Sequence, residues 1–434
     1  MVFTIHFSIG TAQPSDSVII QKLTDFGIEF TSGNSVELLM SGQAKFDRMF
    51  ADIRQARHSV NLEYFNFRND SIASLLFDIL REKRREGVEV RALFDGFGND
   101  SNNQPLLKSH IKSLRADSID IYEFDPIRFP WVNHIWPRDH RKIVVIDGRI
   151  AYTGGMNVAD YYIKGTEQVG SWRDMHCRME GPVVDQLQRI FAHIWQKTTG
   201  EDIFNTQPST LNPQPSTLNS HSARSVSFGT PQPSTLNYQP QPSLVGIVNR
   251  EPGAVYTQDG KLLGRRNAMR YFYVNAIDAA RDTIRIINPY FTLTPSLNRA
   301  IKRAIKRGVV VEILLSAKSD IPLTPDCCFY NAHKLMKRGA RVWLYQPGFH
   351  HSKIMMVDGR FCTVGSANLD ARGMRFDYEE NAVIADSAIT AQLNQMFCRD
   401  TLESVFLTTE TWNQFRTPWQ KFRGWFAHLL RPFL

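Results

Sequence analysis

Two short stretches of the chain carry the same side chains at the same spacing. His140, Lys142, Asp147 and Asn157 in the first are matched by His351, Lys353, Asp358 and Asn368 in the second. In both, the lysine follows the histidine by two residues, the aspartate by seven and the asparagine by seventeen. Two small residues lie just before the asparagine, Gly154-Gly155 in one copy and Gly365-Ser366 in the other. Paired imidazoles suit phosphodiester exchange. One attacks phosphorus and forms a covalent phosphohistidine, while the other protonates the departing alkoxide and then deprotonates the incoming alcohol. Lysine ammonium groups and asparagine amides are suited to stabilising charge on the equatorial oxygens, a task otherwise given to a metal ion. No carboxylate cluster suited to a two-metal site accompanies the motifs, so no metal or other cofactor is expected.

A working imidazole is oriented through its far nitrogen, normally by a carboxylate. Asp174, in Trp172-Arg173-Asp174, follows His140 by 34 residues, and Glu379, in Tyr378-Glu379-Glu380, follows His351 by 28. These are the expected orienting acids, with Glu380 as the alternative in the second copy. Asp147 and Asp358 belong to the candidate set, but each stands before a glycine at a turn, which favours fixing local structure over touching phosphate. A lone histidine on a strand is commonly a satisfied core residue. A duplicated set with matching neighbours is not explained that way.

The scaffold for these side chains is also present twice. Helix-like stretches at 46–57 and 268–281 each lead into a short β-rich run that ends in Tyr-Phe. A basic amphipathic helix follows at 75–87 and at 297–308, ending in lysine or arginine and then glycine, a helix stop. Strands are expected next, at 88–94 and 309–315. Alternation then places His140, Lys142 and Val144 on one face of a strand, and His351, Lys353 and Met355 on one face of another. Strands alternating with helices argue for two homologous α/β lobes. Two such faces brought together make one site with two histidines, two lysines and two asparagines.

At these residues the chain resembles the phospholipase D superfamily, and within it the bacterial cardiolipin synthases. The likeness extends to Asn34-Ser35-Val36-Glu37-Leu38-Leu39, Leu62-Glu63-Tyr64-Phe65, Asp139-His140-Arg141-Lys142, Thr153-Gly154-Gly155-Met156-Asn157 and Ser171-Trp172-Arg173-Asp174. It continues in Pro289-Tyr290-Phe291 and Gly365-Ser366-Ala367-Asn368-Leu369-Asp370-Ala371-Arg372. The resemblance implies two α/β/α sandwich lobes with one active site at their interface. It implies a metal-independent transfer of a phosphatidyl group from one phosphatidylglycerol to another with release of glycerol, and both His-Lys-Asp sets in the site. It further implies an anionic phospholipid partner, no nucleic acid, and a place on the bacterial cytoplasmic membrane, peripheral from the cytoplasmic side. Members of that family usually begin with one or two membrane-spanning helices. This sequence has no run of 18 apolar residues, so no spanning helix is expected.

The 434 residues divide, on this reading, into an extension at 1–33, lobes at 34–203 and 244–408, and a tail at 409–434. Residues 204–243 contain Gln-Pro-Ser-Thr-Leu-Asn three times and read as a disordered insertion. Phe3, Ile5, Phe7 and Ile9 alternate with polar residues, as in a short strand. Five cysteines without a C-x-x-C pair indicate neither a disulfide scaffold nor a zinc site. The net charge of +8 favours phosphate-bearing partners. The tail from Trp412 onward has no acidic residue, and its apolar residues at Trp412, Phe415, Trp419, Phe422, Phe426, Leu430 and Phe433 step by three or four. That pattern suits a helix starting near Thr417, either lying in an anionic lipid interface or packed on the core. An aromatic, proline-rich loop at 124–137 is a second place where acyl chains could be admitted. Two other functions fit the motifs less well: a hydrolase or nuclease acting on other phosphodiesters, and a non-catalytic membrane-binding protein.

Overall fold

The structure, a computed structural model, describes residues 14–127, 137–204, 242–253, 255–256, 262–264, 267–321 and 324–430. The alternating segment at 3–9, nearly all of the 204–243 insertion and most of the aromatic loop at 124–137 lie outside the described residues.

The first lobe contains strands β1 (Phe30–Leu39), β2 (Ser59–Tyr64), β3 (Glu89–Asp95), β4 (Asp120–Phe124), β5 (Ile143–Ile146), β6 (Ile150–Gly154), β7 (Ser171–Arg173) and β8 (His176–Glu180). Its helices, with the one that precedes it, are α1 (Ser15–Asp25), α2 (Gly42–Arg54), α3 (Ser71–Arg85), α4 (Gly96–Asp100), α5 (Lys108–Ala116), α6 (Tyr161–Lys164) and α7 (Val183–Thr199). The second lobe begins with β9 (Ser243–Arg250), β10 (Val255–Tyr256) and β11 (Leu262–Gly264). It continues with β12 (Thr283–Ile287), β13 (Val310–Ser316), β14 (Arg341–Tyr345) and β15 (Gly348–His350). It closes with β16 (Ile354–Val357), β17 (Phe361–Gly365), β18 (Glu379–Ala385) and β19 (Ser404–Phe406). Its helices are α8 (Ala268–Ala279), α9 (Pro295–Lys306), α10 (Thr324–Met336), α11 (Ala371–Arg375) and α12 (Ser387–Leu402), followed by α13 (Thr409–Phe415) and α14 (Pro418–Leu430).

One 15-stranded sheet runs through both lobes in the order β19-β14-β13-β12-β16-β17-β18-β9-β1-β8-β6-β5-β2-β3-β4. Outward from the central β9–β1 pair, the two halves repeat the same order, so the duplication read from the sequence is a duplication of topology. In each half three parallel strands, β2-β3-β4 or β12-β13-β14, are joined to an antiparallel hairpin, β5-β6 or β16-β17. The parallel strands β2, β3 and β13 are buried along most of their length, as strands covered on both faces are, and β2 alternates apolar residues with the buried polar Ser59, Asn61 and Glu63. The crossover helices α3 and α9 stop as expected, at Arg85 and Lys306, each one cap residue before Gly87 and Gly308 at φ of +91° and +90°, a conformation that costs glycine little.

Two features bind the lobes. Strand β1 pairs with β9 through Phe30 and Thr31 and with β8 through Ser35 to Leu39, so a single strand serves both halves. Between α7 and α12 a shared core contains Val145, Cys177 and Leu187 of the first lobe with Ile247, Met356 and Leu393 of the second. Helix α1 packs through Ile19 and Leu23 on the second lobe's core, beside Met269 and Phe272.

The hairpins fix the motifs. Asp147 and Asp358, at the ends of β5 and β16, both have φ of +52°. The Asp147 carboxylate accepts from the backbone N–H groups of Arg57, His58 and Ser59 at 2.8, 2.7 and 2.9 Å. Asp358 accepts from Arg281, Asp282 and Thr283 at 3.0, 2.9 and 2.8 Å. Each therefore caps the loop that enters the parallel strand next to its hairpin, β2 or β12, and neither lines the pocket described below. Their place among catalytic residues is corrected accordingly. Asp147→Ala removes three charge-assisted bonds and leaves a Cβ-bearing residue with positive φ, so it should cost about 1–3 kcal/mol of stability. Asp147→Asn should lose less, and chemical denaturation of the two variants measures the difference.

Candidate active site

Both histidines lie just before their strands rather than on them. His140 and Lys142 occupy the extended segment that leads into β5, and His351 and Lys353 the one that leads into β16. Leaving the sheet frees this backbone to pair with the opposite lobe. The His140 N–H donates to Tyr378 O at 3.0 Å, and the Tyr378 N–H donates to Arg138 O at 2.8 Å. In the other copy β15 runs parallel to β7, with Phe349 beside Trp172, and the His351 N–H donates to Arg173 O at 2.6 Å.

This exchange decides which acid meets which ring. Tyr378 is followed by Glu379, and Arg173 by Asp174, so each histidine is fastened to the residue preceding the other lobe's acid. His140 Nδ1 lies 3.1 and 3.2 Å from the two Glu379 oxygens, and His351 Nδ1 lies 2.7 Å from Asp174 Oδ2. Counting along the sequence assigned Asp174 to the copy of His140 and Glu379 to that of His351. The acids are as expected but the pairing is crossed. Glu380 reaches neither ring; it accepts hydrogen bonds from Thr153 of the first lobe and from Ser366.

Both rings open on one pocket of about 470 Å³. With Nδ1 held by an acid, Nε2 is the nitrogen that can turn to phosphorus, and at His351 it lies 3.0 Å from Lys353 Nζ, which phosphate would have to draw away. Asn157 and Asn368 line the same pocket, and each has a buried amide oxygen without a partner. A half-turn of either amide presents its NH₂ to an oxyanion instead. Lys142 donates to His140 O, and Lys353 Nζ to His351 O at 2.6 Å, so both ammonium groups fold back beside their own histidines. Ser366 stays behind the pocket wall, where its hydroxyl donates to Glu379. In the first lobe Gly155 takes that place, and there a Cβ would lie 2.2 Å from Asp174 Oδ1, so only glycine leaves room for the acid.

Burial and the two lysines set the protonation. Burial, then Lys142 and Lys353, hold the His140 imidazole well below its usual range, and burial with Lys353 also lowers His351. Burial alone would raise the Asp174 carboxyl, but Lys353 and His351 outweigh it and keep the group below the ordinary carboxylate range. Burial raises Glu379 well above that range, against the pull of Lys142. Burial lowers both lysines, Lys353 to about 8. The site thus presents two neutral imidazoles under a positive potential.

Residues not anticipated as part of the site complete its walls. Phe65 meets the His140 ring edge-on at 5.2 Å, and Trp172, Phe349 and Tyr290 surround His351 at 5.3, 5.3 and 5.8 Å. The Tyr290 hydroxyl donates to Asp320 at 2.7 Å, and Arg372 pairs with Asp377 on the pocket wall. The position of Phe65 and Tyr290 just beyond β2 and β12 was the available signal, since ligands in α/β sheets collect at the carboxyl ends of strands. Among the described residues no group of three or more His, Cys, Asp or Glu side chains is placed to hold a metal ion.

The crossed pairing has a spectroscopic consequence. Asp174→Asn removes an interaction that raises the imidazole it faces, so ¹⁵N-histidine NMR should show His351 titrating lower while the Nδ1–H of His140 is undisturbed. Glu379→Gln should disturb His140 and spare His351. The reverse assignment would exclude the exchange between lobes.

Comparison with known proteins agrees with this geometry. The family model described as "Cardiolipin synthase, PLD-like domain" matches residues 49–195 and 273–401, one stretch in each lobe. A cardiolipin synthase of Oceanobacillus iheyensis is 33% identical over 96% of this chain and 79% of its own length. One from Listeria welshimeri is 30% identical over 99% of this chain and 81% of its own. Among solved structures, the phosphatidylserine synthase of Haemophilus influenzae superposes with a TM-score of 0.67 at 15% identity, over 96% of this chain and all of that one, a likeness of fold.

Proposed function

The chain belongs to the cardiolipin synthase family of phospholipase D-like proteins, and from that premise we propose that it transfers a phosphatidyl group between two molecules of phosphatidylglycerol through a phosphohistidine. The observation that carries this reading is a single pocket with two rings, each fastened by the other lobe's acid. In the first half-reaction, Nε2 of one imidazole attacks phosphorus and the P–O bond to the glycerol headgroup breaks. The other imidazole gives the leaving oxygen its proton, and glycerol departs. In the second half-reaction that imidazole takes the proton from a headgroup hydroxyl of the next phosphatidylglycerol. The hydroxyl oxygen attacks phosphorus, the P–N bond breaks, and cardiolipin is formed.

Lys142, Lys353, Asn157 and Asn368 hold the non-bridging oxygens. Both rings are neutral in the free enzyme, as nucleophile and base must be. A bound phosphodiester brings negative charge beside them and raises the ring that has to act as acid. Phospholipids are the substrates, and the enzyme works at the surface of an anionic membrane; no helix among the described residues is long and apolar enough to cross one.

The deciding experiment offers the protein phosphatidylglycerol liposomes and, separately, single-stranded DNA, both with chelator. Cardiolipin and free glycerol are expected; nucleotide fragments instead would point to a nuclease. His140→Ala and His351→Ala should each lower transfer by roughly a thousandfold or more, and full activity in either defeats the two-histidine mechanism. The profile of kcat/KM against pH should fall on the alkaline side near 8, where Lys353 gives up its proton and the charge that holds phosphate. Lys353→Arg stays charged and should flatten that limb even at a lower rate. A wild-type profile level past about pH 9.5 would remove Lys353 from this role.

A further inference from the structure

The last helix carries two opposed faces. On a helix of about 3.6 residues per turn, Trp419, Phe422, Trp425, Phe426 and Leu429 of α14 share one side, and all five are exposed, Trp419 to 65%. On the opposite side Gly424 and Ala427 are buried against α10, where a Cβ at Gly424 would meet Asp326 O at 2.7 Å. Trp412, which the sequence placed in the same apolar stripe, belongs instead to α13 and is buried in the second lobe's core. The tail therefore does both things its pattern allowed: it packs on the protein through its small residues and leaves its aromatic face bare.

On the Gly424 side of α14, across the helix from the aromatic face, lies a cleft of about 360 Å³ between α10, α13 and α14. Its lining includes Lys334, Lys337, Lys421 and Arg416, and Asp326 is the one carboxylate among the described lining residues. Asp326 is occupied twice, by Arg416 and, at 2.6 Å, by Arg423, so it ties the tail to α10 and leaves the lysine charge uncancelled. His333 stacks on Trp412 at 4.3 Å on the cleft wall. Burial, then Lys337 and Lys421, push its imidazole down to about 4. Helix α10 links the cleft to the catalytic pocket: Thr324, its first residue, lines the pocket with Ile321, which precedes the helix, and Asp326 lines the cleft.

We propose that α14 docks the enzyme on an anionic bilayer, with its aromatic face among the acyl chains and the lysine cleft holding the phosphate of a lipid headgroup. The proposal rests on the phosphatidyl-transfer reading and adds how substrate reaches the site. A bare aromatic face edged by cations is the composition of an interfacial helix, and lysines attract a negatively charged leaflet. A second copy of the chain is a poorer occupant, because a two-fold contact through this face would set Lys421 and Arg423 against their own copies. Docked this way, the rim at Ile321 and Thr324 stands close to the lipid surface, and phosphatidylglycerol passes into the pocket without crossing water.

The test uses the full chain and two variants, Trp419→Ala/Phe422→Ala/Trp425→Ala and Lys334→Gln/Lys337→Gln/Lys421→Gln. Co-sedimentation is measured with vesicles of phosphatidylcholine alone and of phosphatidylcholine with phosphatidylglycerol. Turnover is measured on short-chain phosphatidylglycerol dispersed as monomers. The aromatic variant should lose about tenfold or more in partition to mixed vesicles, and the lysine variant should lose the preference for mixed over neutral vesicles. Both should turn over monomeric lipid like the wild type. Unchanged partition in either variant overturns the proposal, as does a dimer that the aromatic variant dissociates while vesicle binding persists. Should a variant melt early by circular dichroism, the wild type still decides. Brominated acyl chains in mixed vesicles must quench tryptophan fluorescence, less so in Trp419→Phe, and absence of quenching is a refutation. A wild type that binds vesicles but leaves monomeric phosphatidylglycerol untouched would fail the catalytic reading and spare this one.

Discussion

The site depends on a backbone exchange between lobes. The strand-like segment before each histidine pairs with the segment before the opposite lobe's acid, through His140 N–H to Tyr378 O and His351 N–H to Arg173 O. Backbone pairing is rigid and directional, and it sets ring and carboxylate to within a hydrogen bond without help from flexible side chains. Neither lobe holds a complete ring–acid pair by itself. The catalytic geometry is thus a property of the lobe interface, and the shared core between α7 and α12 keeps that interface closed.

Around this exchange the electrostatics divide into an inner and an outer task. Inside, burial first and then Lys142 and Lys353, themselves almost wholly buried, hold both rings below the usual imidazole range. Cations sealed in such a place are costly unless they are matched by charge, and Asp174, whose carboxyl Lys353 and His351 keep below the ordinary range, lies close enough to supply it. Outside, the lysines around α10 and α14 stay at the surface, where their charge reaches into solvent and acts on whatever approaches. In the reaction and docking proposed above, the same residue type serves catalysis in one place and attraction in the other, and burial makes the difference.

Much of the arrangement could be read from the chain itself. Paired motifs, the order of helices and strands, and the identity of both orienting acids follow from local pattern and from repetition, because each half repeats the other's solution. The structural place of Asp147 and Asp358 followed from their position at turns. What escaped depends on contacts between residues far apart in sequence. Spacing inside one lobe cannot report that Asp174 serves His351, because 177 residues separate them and only the closed interface brings them together. The expected strand through His140 and Lys142 failed for the same reason, since alternation does not distinguish pairing within the sheet from pairing across lobes. Trp412 and Trp419 share a period, yet Arg416 and Pro418 break the helix between them, and one ring turns inward while the other does not.

Strand β1 precedes almost everything else in the chain, yet one of its edges is completed only by β9, some two hundred residues later. While the polypeptide is being made, the lobe that emerges first carries an open row of amides and carbonyls along Phe30, Thr31 and Asn34. Such an edge is a template for any extended segment nearby, including one from a neighbouring nascent chain. Maturation of this enzyme therefore passes through a half-built state that is adhesive by construction, and arrival of residues 243–250 is the event that ends it.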